Sequence, residues 1–239
     1  MATTSSASSL PIAITIGYPA GSVPEILGRT LLDGDGNEDA RGKKTATEHT
    51  RWILVGAHWA LEKGAETLSR ALPPLHHIAA PDEAIPGWNL LDLGMPEPAD
   101  FRLGQVQSAC GDLAVQAVEW AAKRCLNGEL AAMVTAPINK EAIHTAGYVN
   151  DIGHQEILAR LAGVSQTATM LMTPGLRVVH LSTHKSLAKA VEFVTAAQVL
   201  GKLHLIHNTL TQWGLAQPRI ALAALNPHGG EGGLLARAE

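Results

Sequence analysis

Short apolar runs rich in β-branched residues recur along the chain. Each gives way to a turn of small and polar residues, and most lead from there into a helical segment. "PIAITIG" (11–17) opens into "YPAGSVPE", and "RWILVGA" (51–57) into "HWALEKGAETL". "LAAMV" (130–134) opens into "TAPINK", "LRVVHL" (176–181) into "STHKS", and "RIALAAL" (219–225) into "NPHGGEGG". Runs of this length read as buried strands, and their alternation with helices predicts an α/β fold with a mostly parallel sheet. In open sheets of this kind ligands bind beyond the carboxyl ends of the strands, so the polar strand ends are where chemistry is expected to collect.

Composition narrows the classes. Of 239 residues, 46% are apolar and 17% charged, which is a globular balance. Net charge is −4 and no basic run stands out, which argues against nucleic acid and anionic membrane as partners. No apolar run approaches the ~18 residues of a membrane span. The opening "MATTSSASSLP" lacks the basic start and apolar segment of a secretory signal, and residues 1–10 read as a flexible tail. Cys110 and Cys125 both fall in "GQVQSACGDLAVQAVEWAAKRCLNGE", which reads as one long helix. Their separation along it, about 22 Å, forbids a disulfide within one subunit. They are read as buried apolar thiols in a cytoplasmic protein.

A first α/β domain is expected over 11–130 and a second over 131–239. The polar, glycine-rich stretch 33–50 reads as a loop, and the proline-punctuated stretch 72–101 as short strands at best. "TATMLMT" and "LRVVHLST" read as strands joined by a tight turn at Pro174–Gly175. Helices over "NKEAIHTAG" and "HQEILARLAG" end at Gly147 and Gly163.

Among the strand-end residues, His184 and His228 stand out as candidate metal ligands, since neutral imidazole is the commonest protein ligand for transition metals. A catalytic metal normally takes three protein ligands, and no convincing third presents itself in the sequence. His154 and Gln155 open a helix, where free backbone N–H groups favour a carboxylate or phosphate. Capping by Asp151, or a plain surface histidine, is the competing reading. Lys140, at the start of the helix after "TAPIN", would balance an anion. His204 and His207 read as a solvated helix face, and His180 as a packed core histidine inside a strand. No G-x-G-x-x-G follows a strand, and neither a P-loop nor a G-x-S-x-G elbow is present.

In order, "ITIGYPAG..PE", "TAPINKEAIHTAG", "GHQEILA", "VVHLSTHKSL" and "LNPHGGEGG" resemble the 4-hydroxythreonine-4-phosphate dehydrogenase (PdxA) family. The resemblance implies a two-domain fold like that of isocitrate and isopropylmalate dehydrogenases. It implies NAD or NADP bound without a Rossmann fingerprint, and a divalent metal (Zn, Mg or Co) held by three histidines near a homodimer interface. His184 and His228 match two of those histidines, and His154 and Gln155 match the substrate-binding pair. Lys140 matches the lysine of a G-P-x-x-K segment, a candidate catalytic position.

The implied reaction oxidises the C3 hydroxyl of 4-phosphooxy-L-threonine to a β-keto acid that decarboxylates, a step toward pyridoxal phosphate. Related branches take 4-phospho-erythronate or threonate, and one takes aromatic cis-dihydrodiols. "HQEILARL" and "STHKSL" look closer to the sugar-acid branch.

Two departures stand against this resemblance. The family's first motif, G-[DE]-P-[AS]-G-[IV]-G-P-E, reads "GYPAGSVPE" here, with Tyr18 in place of an acid. Family chains also continue past "NPHGGEGG", into a part that carries the third metal histidine and much of the nucleotide pocket. The expectation is therefore a fold incomplete at its C-terminus. Activity in this chain is then doubtful, and a non-catalytic remnant that binds a phosphorylated acid or a partner is the alternative.

Overall fold

The computed structural model describes residues 10–33, 50–151, 153–183 and 185–234. Residues 1–9 of the expected 1–10 tail, most of the 33–50 loop and His184 lie outside the described residues. The chain divides into two compact units, Met1–Ser165 and Gln166–Glu239.

The first unit holds β1 (Ile12–Thr15), α1 (Val23–Asp33), β2 (Arg51–Gly56), α2 (His58–Thr67), β3 (His76–His77) and β4 (Gly87–Asp92). It continues through α3 (Ser108–Leu126), β5 (Ala132–Thr135), α4 (Lys140–Thr145) and α5 (His154–Ala162). Its sheet runs in the order β3-β4-β2-β1-β5 with every pair parallel. The chain builds outward from β1 through β2 to β4, then returns to place β5 on the other side of β1. The strand order therefore reverses between β1 and β5. Such a switch point is where an open α/β sheet binds its ligand.

Side chains alternate across this sheet as a period of two requires. Ile53 and Val55 of β2 face α3 with Ala13, Leu91, Ala117 and Ala121. Leu54 faces the opposite layer with Val23, Leu27 and Leu31 of α1 and Leu61 of α2. α3 is buried on more than one side because α4 and α5 cover the face turned away from the sheet. There Val115 and Val118 meet Ile143 and Ile157. This accounts for its alanine-rich composition, since small side chains let neighbours approach from both sides.

Asn89, fully buried in β4, is satisfied completely. Its amide donates to the Trp52 and Ile85 carbonyls at 2.9 and 2.8 Å, and its oxygen accepts from Ile85 N–H at 3.0 Å.

In the second unit β6 (Met170–Thr173) and β7 (Leu176–Val179) form an antiparallel hairpin. Pro174 and Gly175, the latter at φ 82°, make its turn, as their dipeptide predicts. α6 (Leu187–Phe193) and α7 (Ala196–Gln212) follow, capped by the hydroxyls of Ser186 and Thr195.

Two expectations are corrected here. "RIALAAL" joins no ladder among the described residues, and Leu222 is 64% exposed. Apolar alternation gives a segment the habit of a strand, but only a neighbouring backbone makes it one. His180 lies one residue past β7 and is exposed, not packed in a core. Among the described residues no helix is long and apolar enough to cross a membrane.

Candidate functional site

The loops leaving β1 and β5 run side by side. Tyr18 N–H donates to the Pro137 carbonyl at 3.0 Å, and Ala136 N–H to the Thr15 carbonyl at 3.3 Å. Gly17, at φ 73°, permits this approach: a Cβ there would lie 2.6 Å from the Pro137 oxygen.

Tyr18, where the resemblance expects an acid, is a staple. Its phenol donates to the Gln105 carbonyl at 2.7 Å and accepts from Gln107 N–H at 2.8 Å, at the residue that caps α3. Burial raises its pKa, and the backbone bond from Gln107 offsets this only in part. The loop is thus fixed by a neutral hydroxyl in two hydrogen bonds.

Beyond β5, Asn139 caps α4 by accepting from Ala142 N–H at 2.9 Å. Lys140 is the first residue of that helix and is exposed. The helix lies directly on α3 because Gly111 has no side chain, and a methyl there would land on the Ala142 carbonyl.

α5 begins at His154, with Gly153 as its N-cap and no side-chain cap. Gly153 offers no side-chain oxygen to the first turn, and the positive end of the helix favours an anion. A Cβ on Gly153 would lie 3.9 Å from Lys140 Cε, so the lysine stem runs beside this helix start. Asp151 does not act as the cap. It is turned toward Arg160 instead, with a contact of 2.7 Å.

The His154 ring is half-buried. Burial lowers its pKa below the ordinary value of 6.5, while a bond to the Ala136 carbonyl works the other way. Its Nε2 is buried and has no partner among the described residues. A neutral imidazole with an unused nitrogen can donate to or accept from a substrate. Gln155 sits next to it on the same turn, also half-buried. Lys140, His154 and Gln155 thus belong to one locality at the switch point.

In the second unit His228 begins a turn in which six successive residues have positive φ, from His228 at 51° through Gly229, Gly230, Glu231 and Gly232 to Gly233 at 102°. Four glycines make that path accessible, and the two non-glycine residues carry strain of about 1–2 kcal/mol each. The His228 side chain is 78% exposed, with Nε2 3.8 Å from Glu231 Oε1.

The second expected metal ligand, His184, lies outside the described residues. Among the described residues no three His, Cys, Asp or Glu side chains converge to hold a metal ion, so these residues alone do not make a metal centre. His204 and His207 are exposed on α7, as expected.

A cavity of about 250 Å³ opens at the start of α1, lined by Gly21, Ser22, Glu25 and Lys63 among others. Lys63 is already paired with Glu66 and Glu97, and Glu25 opposes an anion, so the α5 start is the better anion site.

A family model described as "Pyridoxal phosphate biosynthetic protein PdxA" matches residues 48–239. The chain belongs to the PdxA family. D-threonate 4-phosphate dehydrogenase of Pectobacterium atrosepticum is 34% identical over 233 residues, covering 93% of this chain and 66% of the relative. 4-Hydroxythreonine-4-phosphate dehydrogenase of Geobacter metallireducens is 35% identical over 228 residues, covering 93% and 63%. The chain thus spans just under two thirds of the length of these curated relatives.

Among solved structures, 4-hydroxythreonine-4-phosphate dehydrogenase from Klebsiella pneumoniae matches with a TM-score of 0.82 at 33% identity, over 97% of this chain and 67% of that one. The fold is that of the PdxA dehydrogenases, which is the isocitrate dehydrogenase-like fold expected from the sequence.

Sequence reasoning missed the Asp151–Arg160 pair and the Tyr18 staple. Asp151 precedes α5 and Arg160 lies in its last turn, a spacing that carries no pairing signal. Tyr18 and Gln107 are far apart in sequence, and nothing local marks their contact.

Proposed function

We propose that this chain is the substrate-recognising part of an NAD(P)- and divalent-metal-dependent dehydrogenase acting on a short hydroxy acid phosphorylated at C4. 4-Phosphooxy-L-threonine is its first candidate substrate. The observation that carries the reading is the start of α5. There, the positive end of a helix with a glycine N-cap, the Lys140 stem and the His154 Nε2, buried and without a partner among the described residues, lie together beyond β5. An anionic group of the substrate would take the helix end and the lysine charge, while His154 and Gln155 hydrogen-bond its polar carbon skeleton.

The reaction moves the C3 hydride to a nicotinamide nucleotide and releases the hydroxyl proton, and the β-keto acid so formed loses CO2. A metal would polarise the C3 oxygen in this reading. His184 and His228 are its proposed ligands, of which only His228 is described. The two cysteines are free, as a reducing cytoplasm would keep them. The family resemblance carries the expectation of a homodimer.

D-threonate 4-phosphate is the second reading. Relatives bearing that name and relatives named for 4-hydroxythreonine-4-phosphate are equally similar, at 34% and 35% identity. The two substrates share the phosphate and the carboxylate and differ at C2. The test is to supply each with NAD or NADP and a divalent metal and follow reduced nucleotide by absorbance. Turnover of either substrate supports the dehydrogenase reading, and the faster one sets the branch. Binding of both without turnover supports a ligand-binding protein, and no binding of either defeats the proposal.

A further inference from the structure

We propose that Asp151, Arg160 and Glu119 are positioning residues that hold the start of α5, and with it His154 and Gln155, in place for substrate. This rests on the reading of that helix start as the substrate-binding end.

The α5 entry lacks the device that usually fixes one. Its N-cap, Gly153, is extended and has no side chain with which to cap the first turn. The entry is instead held from further away. Asp151, two residues before the cap, has a side chain only 7% exposed. Arg160 Nε lies 3.2 Å from both of its carboxylate oxygens, and Arg160 Nη2 lies 2.7 Å from Oδ2. Because Arg160 lies in the last turn of α5, this ties the incoming loop to its own helix along most of that helix's length.

The same Nη2 lies 2.7 Å from Glu119 Oε1 on α3, and Lys123 on α3 donates to the other Glu119 oxygen at 3.0 Å. Burial disfavours the Glu119 charge, but Arg160 and Lys123 together outweigh it and hold the carboxyl below its ordinary value. A second tie lies close by, where the Tyr148 hydroxyl donates to Asp112 Oδ1 on α3 at 2.6 Å.

Fully buried Ile157 docks α5 on α3 through apolar contact. Such contact sets distance better than rotation. A forked guanidinium between two carboxylates is directional and fixes the rotation about the helix axis. That rotation decides whether the His154 ring stays packed beside Ala136 at the end of β5.

The geometry also removes a tempting alternative. An arginine near a phosphate site invites a phosphate-binding role. Nε and Nη2 of Arg160 are already engaged by two carboxylates, one of them buried, so its charge is spent within the fold.

The test compares the wild type with Asp151→Asn and Glu119→Gln. Affinity for 4-phosphooxy-L-threonine is read by calorimetry. The titration of the His154 ring, beside which lie Lys140 and Glu156, is read by NMR. Circular dichroism shows that each variant is folded. Asp151→Asn is expected to weaken binding about tenfold, as small misplacements do, and to raise the His154 midpoint toward its ordinary value.

Unchanged affinity and an unchanged His154 midpoint in folded Asp151→Asn would overturn the proposal. If that variant does not fold, the milder Glu119→Gln decides on the same two readings. If the wild type binds no substrate, the functional reading fails, while the His154 titration still decides whether the clamp positions the ring.

Discussion

Gly17 and Pro137 meet where the strand order reverses, with room for a hydrogen and none for a methyl. The closest approach of a Cβ on Gly17 would be 2.6 Å, to the Pro137 carbonyl oxygen, and Gly17 itself sits at φ 73°. Both facts follow from the parallel β1–β5 pairing, which brings the two following loops out of the sheet side by side.

Gly17→Ala is therefore expected to destabilise the fold by at least about 2 kcal/mol, combining a positive φ with a backbone collision. Urea unfolding measures it. A variant as stable as wild type would mean that the loops do not approach as described.

Gly111→Ala tests the seat of α4. The added methyl lands on the Ala142 carbonyl, so α4 must lift away from α3. The expected loss is about 1–3 kcal/mol for overpacking. It should come with weaker substrate binding, because Lys140 rides on α4 and moves with it. Equal stability and equal affinity would contradict the packing described.

The pH dependence of stability carries a signature of His154. Burial depresses its pKa below 6.5 in the folded state, so the unfolded chain binds the proton more readily. The stabilising contribution is then present above pH 6.5 and is lost as pH falls through the folded-state value. Melting temperatures of wild type and His154→Gln, compared from about pH 8 to about pH 5, should show a steeper acid loss in wild type. Glu119, also depressed, adds its own loss only below its ordinary value of 4.5, outside that window.

Cys110 should be inert. Burial raises its thiol pKa to about 11, with only partial relief from the Ala20 backbone bond. Burial also raises Cys125, which is partly exposed. A thiol reagent at neutral pH is expected to leave Cys110 unlabelled in the folded protein, to label Cys125 slowly, and to label both in denaturant. Rapid labelling of Cys110 would mean that α3 is not packed as described.

Local pattern carried much of this fold. β1, β2, β5 and the hairpin are short apolar runs bounded by turn residues. α4 and α5 end close to their predicted glycines, and the Pro174–Gly175 turn follows from its dipeptide alone. β4 was underread because Pro81, Pro86 and Gly87 crowd its start and Asn89 interrupts its apolar run. The structure satisfies that asparagine from Trp52 and Ile85, contacts that no local pattern shows. "RIALAAL" was overread for the opposite reason, since its pattern is strand-like but no partner backbone stands beside it among the described residues.

At the site, the types of Lys140, His154 and Gln155 and their helix-start positions were legible. Their nearness was not, because it depends on how α4 and α5 pack on α3. Arg160 gave no signal, since its two partners sit on different elements.

The central claim is that the start of α5 and Lys140 receive the anionic end of a phosphorylated hydroxy acid. A crystal structure of the protein with 4-phosphooxy-L-threonine tests it most directly. The account predicts a phosphate or carboxylate of the ligand against the first-turn N–H groups of α5, within hydrogen-bond reach of Lys140 Nζ and His154 Nε2. Ligand bound elsewhere, with that helix start and Nε2 left untouched, would contradict it.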